Sequence, residues 1–271
     1  MLHLAAFADE ISPDLDVQIE HCRANGITHF ELRGVAGRNV LDFDKPLRVE
    51  IKQKLADHGL GVASIASPIG KLRLSEPFAA HFERFKIAVD MAEFFEAPFI
   101  RIFSYYETKP AGRDEVIRRL QKKVEYLRGR EPVVIHENEA RIYGETGAEC
   151  LDLLQSVNSP KFRAVFDPAN FVQAHENPLR NWPLLKPYTV HFHIKDARMG
   201  SGKVVPAGEG DGHLAEILRD AYASGYRGFL SLEPHLAAHG QFSGFSGPER
   251  FKTGVDALRK IARENGIPLA S

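Results

Sequence analysis

The sequence predicts a single (β/α)8 barrel that spans residues 1–271, and three observations lead to this fold class. The length of 271 residues is close to the roughly 250 residues that such barrels usually contain. Eight strand-like segments alternate with eight segments of helical length, and four consecutive strand-like segments end in a carboxylate or an imidazole. No linker or shift in composition divides the chain, so we expect one domain.

Short segments rich in β-branched and aromatic residues are interpreted as the strands. They cover residues 3–8, 28–33, 61–66, 98–103, 132–137, 162–167, 189–194 and 228–233. The amphipathic segments between them are interpreted as helices and cover residues 14–25, 46–58, 77–95, 113–128, 144–156, 178–186, 212–224 and 248–265. This alternation is typical of parallel βαβ units, and eight units are enough to close the sheet. An open, doubly wound sheet shows the same alternation and remains the alternative architecture.

The predicted helix boundaries carry residues that favour such positions. Asn177-Pro178 is a typical helix start, because Asn caps the first turn and Pro is tolerated there. Gly26 and Gly59 stand just before the next strand, where glycine commonly ends a helix. The Gly- and Ser-rich stretch 236–247 is expected to form a loop at the mouth of the barrel.

The composition argues against several functional classes. Lys and Arg (35) nearly balance Asp and Glu (36), so no bulk charge attracts nucleic acid or an anionic membrane. The N-terminus lacks the basic segment of a signal peptide, and no apolar run approaches the ~20 residues that cross a bilayer. The two cysteines, Cys22 and Cys150, fit a reducing compartment better than a disulfide framework. We therefore expect a soluble cytoplasmic protein.

Four side chains able to bind a metal stand at the ends of the last four predicted strands: Glu137, Asp167, His193 and Glu233. In an α/β barrel, functional side chains lie where the strands end and the following loops begin. Alternate residues of a strand face the same side, and this periodicity allows all four side chains to face the barrel axis at one height.

The seventh predicted strand supports this orientation most clearly. One of its faces is apolar and consists of Val190, Phe192 and Ile194. The other face is polar and consists of His191, His193 and Lys195. The apolar face suits the layer of helices, so the polar face points into the barrel. We expect His191 to support the site from a deeper layer rather than to bind the metal.

Three carboxylates and one imidazole form a hard, oxygen-rich set of ligands. Such a set favours one Mn²⁺ or Mg²⁺ ion, with Co²⁺ or Zn²⁺ as alternatives. An inward cluster of carboxylates without a cation would suffer strong repulsion and desolvation. A six-coordinate ion held by four protein groups would keep two positions for water or for neighbouring substrate oxygens.

The segments around these four residues carry a family resemblance. They are Ile135-His136-Glu137-Asn138, Phe166-Asp167-Pro168-Ala169-Asn170, His193-Ile194-Lys195-Asp196 and Ser231-Leu232-Glu233. They resemble the ligand motifs of the sugar phosphate isomerase/epimerase family, the xylose isomerase-like barrels. The similarity extends over nearly the whole chain and includes the opening Ala8-Asp9-Glu10-Ile11-Ser12 and the loop Val205-Pro206-Ala207-Gly208-Glu209-Gly210.

The resemblance implies a metal-dependent sugar isomerase or epimerase, with a ketose, a polyol-derived compound or a sugar phosphate as its substrate. In relatives that epimerise ketoses, two metal-bound glutamates move protons on opposite faces of a metal-bound cis-enediolate, and here these would be Glu137 and Glu233. Asn170, Lys195 and Arg198 are the expected substrate contacts. Glu31, Arg33 and Arg101, near other strand ends, are further candidates for the lining of the pocket. Barrels of this kind often pair, so a homo-oligomer is a possible assembly, although the sequence does not identify a pairing surface.

Two other functions are compatible with the same barrel, and the sequence argues against a third. A lyase, such as an inosose or dehydroshikimate dehydratase, would follow the same proton abstraction with loss of a hydroxyl group. A catalytically silent barrel that binds metal or sugar is a second alternative. An endonuclease-IV-like nuclease needs additional histidine ligands for three zinc ions, and the corresponding positions here, 66–70, 103–106 and Asn170, contain none.

Overall fold

Eight parallel strands close into a barrel in the order in which they occur along the chain. They are β1 (His3–Ala6), β2 (His29–Leu32), β3 (Gly61–Ala66), β4 (Phe99–Ile102), β5 (Val133–Glu137), β6 (Phe162–Phe166), β7 (Thr189–Ile194) and β8 (Phe229–Leu232). Each strand pairs with its two neighbours in sequence, and β1 pairs with β8. The computed structural model, which describes residues 1–108, 112–237 and 245–270, confirms the predicted fold class.

Helices follow the strands and surround the barrel. In the described ranges they are α1 (Leu15–Ala24), α2 (Lys45–Asp57), α3 (Phe78–Phe95), α4 (Arg113–Tyr126), α5 (Gly147–Val157), α6 (Pro168–Gln173), α7 (Pro178–Leu185), α8 (Leu214–Ala223) and α9 (Pro248–Glu264). Asn177 caps α7 as predicted, since its side chain accepts hydrogen bonds from Leu179 N and Arg180 N. None of the described helices is long and apolar enough to cross a membrane.

The helix α6 was not predicted, and its position matters for the site. Asp167 directly follows β6 and caps α6, because its Oδ1 atom accepts a hydrogen bond from Asn170 N at 2.9 Å. Pro168 occupies the first helical position, where the missing N–H costs nothing. The six-residue helix is too short for a periodic pattern to be visible in the sequence.

Short irregular elements follow the first and the seventh strand of the barrel. The first strand ends at Ala6 instead of residue 8, and a 3-10 turn follows at Ala8–Glu10. A small antiparallel hairpin, Asp196–Ala197 with Val204–Val205, extends β7 beyond the barrel. Of the predicted loop 236–247, residues 238–244 lie outside the described ranges.

The barrel interior changes from aromatic to charged along its axis. Towards the N-terminal ends of the strands, the rings of His29, Phe99, His191 and Phe229 contact one another. Towards the C-terminal ends, the interior side chains are acidic, basic and imidazole groups, described below. The buried apolar core includes residues of both the strands and the helices that surround them.

Candidate metal centre at the barrel mouth

The four predicted ligands converge at the C-terminal end of the barrel. One ligand atom from each of Glu137, Asp167, His193 and Glu233 lies within 4.8 Å of the others. His193 Nδ1 is 3.3 Å from Glu137 Oε1, 3.8 Å from Asp167 Oδ2 and 3.6 Å from Glu233 Oε2. All four side chains are buried. Four separate strands therefore deliver one compact donor set, as the side-chain periodicity predicts.

The donor set fits a hard divalent cation. His193 Nδ1 is buried and has no hydrogen-bond partner within the part of the chain that the structure describes. Asp167 Oδ2 lies 3.8 Å from it and forms an ion pair with Lys195 Nζ at 2.8 Å. Buried polar atoms are normally paired, so an imidazole nitrogen that lacks a hydrogen-bond partner and lies among three carboxylates suits a bound cation. Three carboxylates with one imidazole match Mg²⁺, Mn²⁺, Co²⁺ or Zn²⁺.

Glu137 is held by one donor from the neighbouring strand β4 and one from helix α6. Arg101 NH1 donates to its Oε2 atom at 2.9 Å, and Asn170 Nδ2 donates to its Oε1 atom at 3.0 Å. Burial alone would raise the pKa of Glu137, but His193 and Arg101 together lower it to about 2. Glu137 is therefore ionised at neutral pH, which is the form that binds a cation or accepts a proton.

Asn170 and Asn138 brace the ligands. Asn170 Nδ2 donates to Asn138 O at 2.9 Å as well as to Glu137, so both of its amide hydrogens point at protein atoms. Asn138 forms two hydrogen bonds with the backbone of Asp167. Its Oδ1 atom accepts from Asp167 N at 3.0 Å, and its Nδ2 atom donates to Asp167 O at 2.9 Å. The side chain of Asn170, predicted to contact the substrate, is thus directed towards Glu137. The contacts of Asn138 were not identified from the sequence.

Glu233 lies among cationic and imidazole groups. Its Oε2 atom is 3.0 Å from Lys195 Nζ, and its Oε1 atom is 3.5 Å from Arg33 NH1 and 3.3 Å from His235 Nε2. Lys195 Nζ also lies 2.8 Å from Asp167 Oδ2. Burial opposes ionisation, but Lys195 and His235 hold the pKa of Glu233 well below its usual value. Lys195 therefore contacts two of the four proposed ligands.

Glu10 and His235 are site residues that the sequence reasoning did not identify. Glu10 is fully buried, and its Oε2 atom accepts hydrogen bonds from His235 N at 2.9 Å and Ser246 Oγ at 2.8 Å. His235 Nε2 lies 3.2 Å from Glu10 Oε1. Burial raises the pKa of Glu10. The only signal in the sequence is the position of Glu10 in the opening motif 8–12, which by itself assigns no role.

Arg198 is exposed and lies in the hairpin that follows β7. Its backbone N–H donates to Lys203 O at 2.9 Å. Within the described residues, no hydrogen bond or ion pair joins its side chain to the four proposed ligands. The structure thus brings together the ligands, Asn170 and Lys195, but not Arg198.

Asp196 organises the glycine-rich loop beside the site. Its carboxylate accepts hydrogen bonds from Gly208 N at 2.8 Å, Gly210 N at 3.1 Å and Gly212 N at 2.8 Å. A Cβ atom on Gly210 or Gly212 would lie 2.4 or 2.6 Å from Asp196 Oδ1, so both positions need glycine. These glycines allow the loop to approach Asp196, the neighbour of Lys195.

Replacing Asp196 with Asn is expected to lower the melting temperature by roughly 4–8 °C. An amide NH2 group would face at least one of the backbone N–H donors, and an unmet buried hydrogen bond of this kind costs about 2 kcal/mol. Thermal unfolding followed by circular dichroism measures the change. Asp211→Asn is the matched control, because Asp211 is exposed and accepts a single hydrogen bond from Met199 N. Equal melting temperatures for the two variants would contradict the role of Asp196.

Comparisons with known proteins agree with the fold. The family model for the xylose isomerase-like TIM barrel matches residues 19–269. The probable 3-DHS dehydratase AsbF of Bacillus anthracis, involved in petrobactin synthesis, has 19% identity, a TM-score of 0.75 and coverage of 96% of this chain and 99% of that chain. A D-allulose 3-epimerase from Methylomonas sp., solved in complex with D-allulose, has 16% identity, a TM-score of 0.76 and coverage of 97% and 96%.

A xylose isomerase-like TIM barrel protein from Mycobacterium smegmatis, solved in complex with magnesium, has 18% identity, a TM-score of 0.71 and coverage of 96% and 97%. No curated protein matches the sequence of the chain. At these identities the solved structures support the shared fold, whereas the family model extends over nearly the whole chain. The chain belongs to the xylose isomerase-like TIM barrel family.

Proposed function

We propose that the protein is a metal-dependent isomerase or epimerase of a small polyhydroxy carbonyl compound, a sugar or a polyol-derived ketone, and that it acts through an enediolate. The observation that carries this proposal is the placement of two ionised glutamates around one imidazole. Glu137 Oε1 and Glu233 Oε2 lie 3.3 and 3.6 Å from His193 Nδ1, and they come from different strands. One base on each side of a bound substrate is the arrangement that isomerisation or epimerisation needs.

Glu137, Asp167, His193 and Glu233 would hold the cation. When bound, a divalent ion would polarise the substrate carbonyl and stabilise negative charge on its oxygen. One glutamate takes the proton from the carbon next to the carbonyl, and the other glutamate returns a proton to the neighbouring carbon or to the opposite face. Arg101 and Asn170 keep Glu137 in place during these transfers, since each donates to one of its two oxygens.

A dehydratase is the second candidate, and Lys195 favours it. The elimination of a hydroxyl group as water needs a proton donor close to the base that removes the C–H proton. Lys195 Nζ lies 3.0 Å from Glu233 Oε2, so an amine stands directly beside one of the two proposed bases. The similarity to a probable 3-DHS dehydratase supports the same candidate.

Product analysis in D₂O tests the proposal. The purified protein is incubated with each of Mg²⁺, Mn²⁺, Co²⁺ and Zn²⁺ and with a panel of ketoses, ketose phosphates, inososes and hydroxylated keto acids. We expect an isomer or epimer that carries deuterium at the exchanged carbon. A product that has lost water and contains a conjugated double bond would contradict the isomerase proposal and support the dehydratase. Bound metal without any turnover across the panel would instead indicate a binding protein.

A further inference from the structure

A buried carboxylate lies beneath the proposed metal site and contacts two histidines. Glu31, on β2, has 1% of its surface exposed, and His191 and His193, on β7, are fully buried. His191 Nε2 is 2.7 Å from Glu31 Oε2, and His193 Nε2 is 3.3 Å from Glu31 Oε1. Each carboxylate oxygen therefore faces one imidazole nitrogen.

This contact determines which nitrogen of His193 carries the proton in a neutral ring. An ionised carboxylate only accepts hydrogen bonds, so Nε2 of a neutral His193 must carry the hydrogen that points at Glu31. The other ring nitrogen, Nδ1, is then an unprotonated donor atom. Nδ1 is the atom that lies among Glu137, Asp167 and Glu233. The opposite tautomer would place a lone pair against the Glu31 carboxylate in a buried environment, which is costly.

The ring of His193 is also fixed in orientation. Phe7 packs against it edge to face, with ring centroids 5.1 Å apart and an interplanar angle of 82°. The ring of His191 lies on another side, with its centroid 5.7 Å away and its plane at 88° to that of His193. Rotation that exchanged the two nitrogens would have to move these neighbours, so the hydrogen bond to Glu31 and the packing favour the same arrangement.

Glu31, His191 and His193 could themselves be regarded as a second set of metal ligands, because their ligand atoms also lie close together. A cation there would need Nε2 of both histidines without hydrogen, and His193 would then have to bind one ion on each side of its ring. The hydrogen-bonded arrangement satisfies both Glu31 oxygens without that requirement. The contacts therefore favour the hydrogen-bonded arrangement over a second metal site.

We propose that Glu31 is a positioning residue that holds His193 with its hydrogen on Nε2 and presents Nδ1 to the metal. The inference rests on the proposed function, since it concerns the same metal site. A carboxylate that accepts a hydrogen bond from a metal-bound imidazole fixes the tautomer and makes the ligand more basic, and its loss typically weakens metal binding by about 10- to 100-fold.

The test compares the Mn²⁺ affinity of wild type, Glu31→Gln and Glu131→Gln by isothermal titration calorimetry. Glu131 is the matched control, because it is exposed and precedes β5 at the opposite end of the barrel. We expect the dissociation constant of Glu31→Gln to rise by about 10- to 100-fold and that of the control to stay unchanged. A folded Glu31→Gln variant that binds Mn²⁺ within about twofold of wild type would overturn the inference, since even the weaker expected loss is tenfold.

A second measurement uses the wild-type chain and does not depend on how the variant folds. Nitrogen NMR of ¹⁵N-histidine-labelled, Cd²⁺-loaded protein identifies the nitrogen of His193 that binds the metal. Coordination through Nδ1 with hydrogen on Nε2 is the expected result, whereas coordination through Nε2 would overturn the inference. Failure of the wild type to bind any divalent ion would instead remove the proposed function, so the two failures are distinguishable.

Discussion

Replacing Glu233 with Gln is expected to lower the turnover number by roughly 10²- to 10⁴-fold, the usual contribution of a positioned acid or base. The amide keeps the shape of the side chain and an oxygen that can bind a cation, but it cannot accept a proton. Glu233 is buried and is surrounded by Lys195, Arg33 and His235, so the loss of its charge also leaves these groups without their shared anion. Turnover is measured with the substrate identified by the panel, at saturating metal.

Glu131→Gln controls for this experiment, since it makes the same chemical change at an exposed position at the far end of the barrel. The control should retain wild-type turnover. If Glu233→Gln retained turnover within a few-fold of that control, with metal bound, Glu233 would have no part in proton transfer. The isomerase proposal would then lose one of its two bases.

Replacing Lys195 with Met is expected to destabilise the chelator-treated protein and to strengthen its response to metal. Lys195 Nζ is the ammonium that lies 2.8 Å from Asp167 Oδ2 and 3.0 Å from Glu233 Oε2. Removing one partner of a buried ion pair costs about 3–5 kcal/mol, which corresponds to a fall of roughly 6–20 °C in melting temperature. The two oxygens released by the substitution are proposed metal ligands, so Mn²⁺ should raise the melting temperature of the variant more than that of wild type.

Lys122→Met is the control for the lysine, because Lys122 is an exposed residue of α4. Melting curves are recorded for both variants and for wild type, with chelator and with saturating Mn²⁺. A chelator-treated Lys195→Met variant as stable as the Lys122→Met control would contradict the ion-pair account. An Mn²⁺-induced increase in the melting temperature of Lys195→Met no larger than that of wild type would also contradict this account.

The positions of the proposed ligands were predictable because they depend on local rules. Glu137 and His193 lie on strands whose alternation fixes which side chains face inward, and the structure places both in the barrel interior. The fold class follows from the alternation of strands and helices in the same way. Glu233 directly follows β8, so the same rule reaches it although the strand ends one residue earlier.

The residues that contact the proposed ligands were less predictable, because they come from distant parts of the chain. The contact of Glu31 with His193 joins residues 162 positions apart, and that of Arg101 with Glu137 joins residues 36 positions apart. The position of Glu31 and Arg101 near strand ends suggested that both lie near the pocket. Which side chains they contact depends on the register of β2, β4, β5 and β7 in the closed barrel. Glu10 was missed because it follows β1 in a turn, where the alternation of a strand no longer applies.

Elemental analysis of the purified protein tests most directly whether Glu137, Asp167, His193 and Glu233 hold one divalent metal ion. Wild type, Asp167→Ala and His193→Ala are compared with Asp57→Ala and His58→Ala, which make the same substitutions at exposed positions at the end of α2. We predict about one Mg, Mn, Co or Zn per chain in wild type and in both controls, and loss of that metal in the two site variants. Wild-type protein without metal, even after incubation with each divalent ion, would contradict this metal site, as would site variants that keep the metal.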